Sequence, residues 1–136
     1  MNTLGLTAAL TAFLAIWLGH VAVRKVEAEA RDIRTPIVIA VLLGLLTEYF
    51  SLTAANRQLS TTLGILGVTL LWDAFELYRQ ENRVKHGHAP ANPDNPRHAR
   101  FLADPNLHAT TLDLLKRDPV GRPVPPDEAP TLLTDN

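Results

Sequence analysis

Three long apolar runs separated by short polar stretches dominate the first part of the chain. The first run spans residues 4–23 and contains no Asp, Glu, Lys or Arg. As a helix rising about 1.5 Å per residue, it matches the roughly 30 Å hydrocarbon core of a bilayer. The second run extends from Pro36 to about Leu52, and the third from Leu59 to about Tyr78. We therefore predict three transmembrane helices rather than a soluble bundle, whose helices would carry charge on one face at every turn.

Local signals place the ends of the second and third helices. Thr35 is a suitable N-cap residue, and Pro36 suits the first turn of the second helix. The third run continues without a helix breaker as far as Gly87, and glycine commonly follows the last residue of a helix. We therefore expect one long third helix that leaves the membrane near residues 73–78 and extends into the cytoplasm.

The Lys and Arg residues near the helix ends predict the orientation. The first connection holds four of them, the second holds only Arg57, and the segment after the third run holds three. Because positive residues favour the cytoplasmic side, we place the N-terminus outside and the C-terminus in the cytoplasm. A cleaved signal peptide would carry basic residues before its apolar core, whereas Arg24 and Lys25 follow the first run.

Small residues recur at every fourth position of the first run, which predicts a smooth helix face. In lipid, helices associate through close packing of small residues because apolar side chains gain little by leaving the acyl chains. The second and third runs offer shorter stripes of this kind, which favours a compact three-helix bundle. The stripes are Thr7, Thr11, Ala15 and Gly19; Ala40 and Gly44; and Ser60 and Gly64.

The last part of the chain differs from the rest, because residues 89–136 hold nine of the ten prolines. Proline at this density excludes a long helix or a central strand. We therefore divide the chain into a three-helix transmembrane domain, residues 1–88, and an extended cytoplasmic tail, residues 89–136. One short helix fits near residues 105–117, with Asp104 as N-cap and Pro105 at its first position. Its apolar side provides three candidate partner-binding residues, Leu107, Leu114 and Leu115.

The composition narrows the chemistry that the chain can perform. A formal net charge of −1 argues against a nucleic-acid partner. The lack of cysteine excludes disulfides, thiolate nucleophiles and Cys-ligated zinc or iron–sulfur sites. The chain holds no GxSxG motif, no P-loop and no pair of histidines on one helix face. We therefore expect a protein that is not an enzyme and that needs no cofactor.

Two ionisable residues within the apolar runs leave alternatives open. His20 is the only histidine within a span. It is a candidate cofactor-binding residue for haem, or it hydrogen-bonds to Asp73, Glu76 or a lipid phosphate at the helix end. Glu48 lies about one turn from the outer end of the second run. It either reaches the interface, pairs with Arg57, or takes part in a proton or ion path.

Residues 72–93 carry the most specific motif, of the form W-x-x-x-E-L-x-x-Q-x-x-R-V-x-x-G-x-x-x-x-N-P. Its positions are filled by Trp72, Glu76, Leu77, Gln80, Arg83, Val84, Gly87, Asn92 and Pro93. This ending resembles that of a family of short bacterial integral membrane proteins classed as a domain of unknown function. Gly19-His20 and Glu27 also resemble upstream positions of the family, although Val21 stands where a proline is expected. The resemblance covers roughly residues 3–93, implies three spans in the bacterial inner (cytoplasmic) membrane, and carries no established activity.

The polar positions of the motif supply a second set of candidate partner-binding residues. Trp72 would lie at the membrane boundary, and Glu76, Gln80 and Arg83 recur along one side of the emerging helix. Such a stripe could bind the loops of a partner protein, or it could form salt bridges with the first connection through Arg24 and Lys25.

Our leading hypothesis is a non-catalytic accessory or scaffolding subunit of a larger inner-membrane complex, for example a respiratory, photosynthetic or other redox assembly. The lipid bilayer and the rest of that complex would be its partners, and the tail would bind the soluble subunits. One alternative is a small oligomeric ion or proton channel or transporter. The other is a membrane anchor subunit that binds haem or a quinone.

Overall fold

The computed structural model describes residues 3–113, and regular structure within that range is entirely helical. α1 spans Leu4–Glu29, α2 spans Arg34–Thr53, α3 spans Arg57–Lys85 and α4 spans Pro96–Ala103. The expected all-α class is thus confirmed for the described range.

α3 is the central helix and packs against both α1 and α2. Gln58 of α3 donates to the Thr3 hydroxyl at 2.6 Å, next to the first residue of α1. At the other end of the same interface, Gly19 of α1 lies against Asp73 of α3, so α1 and α3 run in the same direction. α2 connects them and runs antiparallel to α3.

The contact face of α1 is the predicted stripe of small residues, prolonged by two larger ones. Ala15, Gly19, Val23 and Glu27, spaced by four positions, are the buried residues of α1. A β-carbon at position 19 would lie 2.7 Å from both carboxylate oxygens of Asp73. The prediction of this face is confirmed at Ala15 and Gly19, whereas Thr7 and Thr11 are half-buried. Glycine at position 19 allows α3 to approach closely.

Small residues also set the distance between α2 and α3. Ser51 and Ser60 form a reciprocal pair, each hydroxyl donating to the other residue's backbone carbonyl, at 2.8 and 2.9 Å. A β-carbon at Gly44 would lie 2.8 Å from the Leu71 side chain and 3.1 Å from the Gly67 carbonyl. Close backbone packing of this kind is how helices associate where hydrophobic burial contributes little.

The start of α2 differs from the prediction. The helix begins at Arg34, so Thr35 lies inside the first turn and does not act as its N-cap. Instead the Asp32 carboxylate accepts hydrogen bonds from the Thr35 hydroxyl at 2.9 Å and from the Thr35 and Arg34 backbone N–H groups. These bonds, the Thr35 hydroxyl first, hold the pKa of Asp32 below its usual value.

Two of the three expected membrane spans meet the requirements of length and apolar composition. They are the helices Leu4–Glu29 and Arg34–Thr53. α3 is longer than either, with 29 residues, but its apolar stretch contains four residues with hydroxyl groups and two acidic residues. The expectation of three spans is therefore supported for α1 and α2 only, because the polar residues of α3 lower its hydropathy. These residues are Ser60, Thr61, Thr62, Thr69, Asp73 and Glu76.

The end of α3 agrees with the prediction. α3 ends at Lys85, and Gly87 adopts a φ of +71°, a left-handed conformation that suits glycine at a helix C-terminus. The chain then returns across this end: the His108 N–H donates to the Lys85 carbonyl at 3.0 Å, and the Ala91 N–H donates to the Thr110 carbonyl at 2.8 Å.

The short helix expected near residues 105–117 is wrong in position. α4 occupies Pro96–Ala103, where Asn95 is the N-cap and its side chain accepts from the Arg97 N–H at 2.9 Å. Asp104 is the C-cap of α4, and residues 105–113 form turns, bends and irregular backbone. There the His108 N–H and the Thr110 carbonyl bond to Lys85 and Ala91, which are distant in sequence, rather than within a local helix. Residues 114–117 lie outside the described range.

Candidate functional site

The C-terminal ends of α1 and α3 lie at the same end of the bundle, covered by residues 88–113, and we call this region the cap end. The last turn of any helix leaves carbonyl groups without intrahelical donors. At the end of α1, side chains more than sixty residues later in the chain supply the missing donors. Asn92 Nδ2 donates to the Ala28 carbonyl at 3.1 Å, and Asn95 Nδ2 donates to the Ala28 and Ala30 carbonyls, both at 3.0 Å.

Arg97 of α4 places a positive charge at the same helix end. Its Nε donates to the Ala30 carbonyl at 3.1 Å, and its Nη2 donates to the Glu27 carbonyl and to Glu27 Oε1, the latter at 3.0 Å. Its Nη1 forms an ion pair with Glu81 Oε2 of α3 at 2.7 Å. A cation at a helix C-terminus interacts favourably with the helix dipole. One guanidinium thus joins α1, α3 and α4.

His98 completes the contacts of Glu27, and the bonding fixes its tautomer. Its Nδ1 accepts from the backbone N–H of Asn92 at 2.9 Å, so in the neutral ring the proton lies on Nε2. Nε2 then donates to Glu27 Oε1 at 2.9 Å. His98 and Glu27 are 0% and 1% exposed, so this bond lies inside the fold.

The ring of Phe101 holds α4 against α3. It stacks on the His98 ring with 5.7 Å between centroids. The Lys85 ammonium lies 5.0 Å from its centroid, and the same ammonium pairs with Glu81. Cations over an aromatic face are attracted by its quadrupole. The cluster of Glu27, Glu81, Lys85, Arg97, His98 and Phe101, which we call the cap cluster, therefore fixes α4 on the bundle.

The charged groups of the cap cluster have their partners within the fold. Its carboxylates bind cations of the same cluster, and both ring nitrogens of His98 have partners. A buried ion pair whose members also have hydrogen bonds avoids the large cost of an uncompensated buried charge. The cluster thereby positions the surrounding grooves and helix ends.

The three residues expected to form a polar stripe, Glu76, Gln80 and Arg83, do not share an exposed surface, and Trp72 was expected beside them at the membrane boundary. Trp72 is 53% exposed, and Arg83 is also exposed. Glu76 and Gln80 are buried, at 8% and 7%, because they lie on the packed side of α3. Glu76 pairs with Arg79 at 3.0 Å and lies 3.8 Å from Arg83, and the described residues contain no pair between the motif and Arg24 or Lys25. Glu76 and Gln80 therefore have internal contacts, and Trp72 and Arg83 remain accessible.

Of the three candidate leucines of the tail, the structure describes only Leu107, which does not lie in a helix. Leu107 is half-buried in the turn after α4, where its N–H donates to the Asp104 carbonyl at 3.1 Å. Leu114 and Leu115 lie outside the described residues. Their proposed role with a partner stays a prediction.

His20 lies at the surface between α1 and α3. It lines a mostly apolar pocket of about 400 Å³ together with Ile16, Val68, Trp72 and Asp73. Within residues 3–113 no group of three His, Cys, Asp or Glu side chains could hold a metal ion. A ligating role for His20 stays a prediction.

Glu48 has the one buried side-chain oxygen without a hydrogen-bond partner among the described residues. This atom, Oε1, lies against Gly67 of α3, where a β-carbon would come within 2.6 Å of it. The expected pair with Arg57 is not formed in the described chain. Glu48 thus points into the α2–α3 interface, because Gly67 leaves room for it there.

The sequence did not predict six members of this site: Glu81, Lys85, Asn95, Arg97, His98 and Phe101. One signal was available for their partner: Glu27 continues the four-residue stripe of α1, and an acid on a buried face requires a cation or donors. The Asn95-Pro96 pair is also a helix start signal as good as Asp104-Pro105. Neither signal identifies Arg97 as the partner of Glu27.

Comparison with known proteins identifies the chain at the level of its family. No curated protein and no solved structure matches it. The model of one family, described as a domain of unknown function (DUF4491), matches residues 2–95, a range that contains α1, α2, α3, Asn92 and Asn95 and stops just before α4. Since this is more than half of the chain, the resemblance to a family of unknown function is confirmed, and the protein belongs to the DUF4491 family.

Proposed function

We propose that the protein is a non-catalytic accessory subunit of a larger complex in the bacterial inner membrane. The observation that carries the proposal is the distribution of exposed apolar residues along α1 and α2. Large side chains such as Phe13, Trp17, Leu42 and Tyr49 are between 58% and 67% exposed. Exposed apolar surface of this extent requires lipid or another protein to cover it.

The outward direction of these side chains supports membrane helices over the core helices of a soluble protein. Only 17% of the apolar window of α1 and 11% of that of α2 is buried in the fold. A core helix of a soluble protein would bury most of such a window. α3, with Leu66, Val68 and Trp72 exposed beside them, is the third proposed span.

The distribution of charge supports a cytoplasmic location of the cap end. The basic residues of the α1–α2 connection, of the C-terminal part of α3 and of α4 all lie at the cap end, whereas Arg57 lies at the opposite end. Positive residues favour the cytoplasmic side. The basic residues at the cap end are Arg24, Lys25, Arg31, Arg34, Arg79, Arg83, Lys85, Arg97 and Arg100.

The folded cap end supports an accessory role. Residues 89–113 lie on the helix ends through the cap cluster and through the backbone bonds of residues 91 and 108. Because residues 89–113 are bound to the helix ends, the segment that follows them starts from a defined position at the proposed membrane surface. We propose that residues 114–136, with Leu114 and Leu115, bind the rest of the complex.

Purification from the native membrane in a mild detergent tests this proposal. The full chain should bring down other membrane subunits at constant stoichiometry, and deletion of residues 114–136 should release them. The cut lies after residue 113 so that the cap cluster remains. The truncated chain must stay in carbonate-washed membranes, which shows that insertion is intact. Unchanged co-purification after truncation would refute the role of the tail, and purification of the full chain alone would refute the accessory role.

A proton or ion channel is the second candidate, because Glu48 Oε1 is buried without a partner at the α2–α3 interface. Vesicles containing the purified protein should then show proton flux that Glu48→Gln abolishes. Glu29→Gln, a change of an exposed acid at the cap end, is the matched control. Absence of flux in the unmodified protein would dismiss this candidate.

A further inference from the structure

A groove of about 680 Å³ lies at the cap end between α1, α3 and residues 88–90. It is separate from the interior of the cap cluster, although Glu27 contributes to both. Three cations from two helices line it: Arg24 and Lys25 of α1 and Arg83 of α3. Convergence of cations from separate helices on one concave surface is typical of a site for a phosphate group.

The three cations are available to a ligand. The Lys25 ammonium forms no hydrogen bond or ion pair within residues 3–113. Arg24 donates to a backbone carbonyl of its own helix, that of His20, at 3.4 Å. Arg83 donates to Gln80 Oε1 at 3.2 Å and lies 3.8 Å from a Glu76 oxygen, contacts that leave most of its five N–H groups free to bind elsewhere.

Two acids also line the groove, and they do not cancel the positive charge. The Glu27 carboxylate is bound by Arg97 and His98, so its charge is already compensated. Asp113 is the second acid. One further carboxylate against three cations leaves the groove positive, which favours an anion.

The surroundings of the groove distinguish a lipid from a free anion. Val21 lines it and is 46% exposed. One turn closer to the N-terminus of α1, Trp17 and Leu18 are 58% and 54% exposed. A phosphate group in the groove would thus have an apolar helix surface directly beside it, on the side that faces the proposed membrane. This is the arrangement that a headgroup and its acyl chain require.

We propose that the groove formed by Arg24, Lys25 and Arg83 binds the phosphate group of an anionic phospholipid. The cations bind the phosphate oxygens, and the acyl chains lie along Val21 and Leu18 of α1. The proposal rests on the membrane location proposed above but not on the accessory role. Failure of the accessory role would be seen in co-purification, whereas failure of this site would be seen in lipid preference.

Native mass spectrometry of the full chain in a neutral detergent tests the site. The probes are phosphatidylglycerol and phosphatidylcholine with the same acyl chains. We expect phosphatidylglycerol to bind at least about tenfold more tightly at low salt, since each Lys or Arg near an anionic surface is worth roughly fivefold in affinity. Equal binding of the two lipids would overturn the proposal.

The decisive variant is R24Q/K25Q/R83Q, compared with R31Q/R57Q/R100Q. The second variant removes the same charge from exposed arginines that do not line the groove. The first should lose most of the preference for phosphatidylglycerol, and the second should keep it. Equal loss in both would show that only net charge matters, against the site. If R24Q/K25Q/R83Q does not fold, Lys25→Gln alone should weaken phosphatidylglycerol binding several-fold, because Lys25 has no partner within residues 3–113 to lose.

Inorganic phosphate separates the two sources of the anion. It is titrated against bound phosphatidylglycerol at constant ionic strength. The lipid should be displaced only at phosphate concentrations far above its own dissociation constant, because free phosphate gains nothing from Val21 and Leu18. Displacement at comparable concentrations would assign the groove to a soluble phosphate compound and overturn the lipid.

Discussion

Arg97 shows how much of the cap end depends on single side chains. It binds Glu27, seventy residues earlier, and Glu81, sixteen residues earlier. Both carboxylates are nearly enclosed, with 2% and 13% of their side chains exposed. Removal of the guanidinium would leave the buried Glu27 carboxylate without its cation, and such a loss costs far more than the pair itself contributes.

Replacement of Arg97 by Met should therefore lower the free energy of unfolding by about 3–5 kcal/mol, the range for breaking a buried ion pair. Arg100→Met, on the same helix but exposed, should change it little. Denaturant titration followed by circular dichroism measures both. The double variant E27Q/R97M should recover part of the loss, because it leaves no unpaired charge at position 27. An Arg97 variant as stable as the Arg100 variant would contradict the structure.

Gly87 is fixed by both backbone and space. Its φ of +71° is costly for a residue with a β-carbon, and that carbon would also collide with the His108 carbonyl oxygen. Gly87→Ala should lose about 1–2 kcal/mol from the backbone conformation alone and displace the segment around His108. Gly5→Ala, where nothing lies within 4 Å of the new carbon, should not destabilise. Hydrogen exchange of the His108 amide, bonded to Lys85, should accelerate in the first variant only.

The helices illustrate which features are readable from sequence and which are not. The stripe containing Ala15 and Gly19 and the stop at Gly87 were predictable because periodicity and local backbone preference decide them. The position of α4 was not, because Asn95-Pro96 and Asp104-Pro105 are equivalent local signals. Contacts with α1, more than sixty residues away, decide between them. The burial of Glu76 and Gln80 likewise depends on which face of α3 meets the bundle.

At the level of elements, Gly44 determines how closely α2 approaches α3. Gly44→Val should push the helices apart, because its side chain would meet Leu71 and the Gly67 backbone, and overpacking of this kind costs about 1–3 kcal/mol. Val38→Leu, on an exposed position of the same helix, serves as control. Unfolding in increasing mole fractions of SDS measures both. Equal stability of the two variants would argue against the α2–α3 packing.

For the whole molecule, the proposed topology places the cap end in the cytoplasm and the α2–α3 connection outside. The chain contains no cysteine, so single cysteines report position without background. Cysteine at the exposed position 55, Ala55→Cys, should react with a membrane-impermeant maleimide in intact spheroplasts. Arg100→Cys should react only after lysis. Labelling of both positions before lysis, or of Arg100→Cys alone, would refute the orientation.

The bonds from Asn92, Asn95 and Arg97 to the end of α1 also bear on the order of events during synthesis. The carbonyls of Ala28 and Ala30 acquire their donors only when residues 64 to 67 positions later have left the ribosome. Until then these carbonyls at the C-terminal end of α1 lack those donors, even if α2 and α3 have already been synthesised. Any nascent or prematurely terminated product that stops before α4 is therefore chemically distinguishable from a finished one, because the Ala30 carbonyl lacks its bond from Arg97.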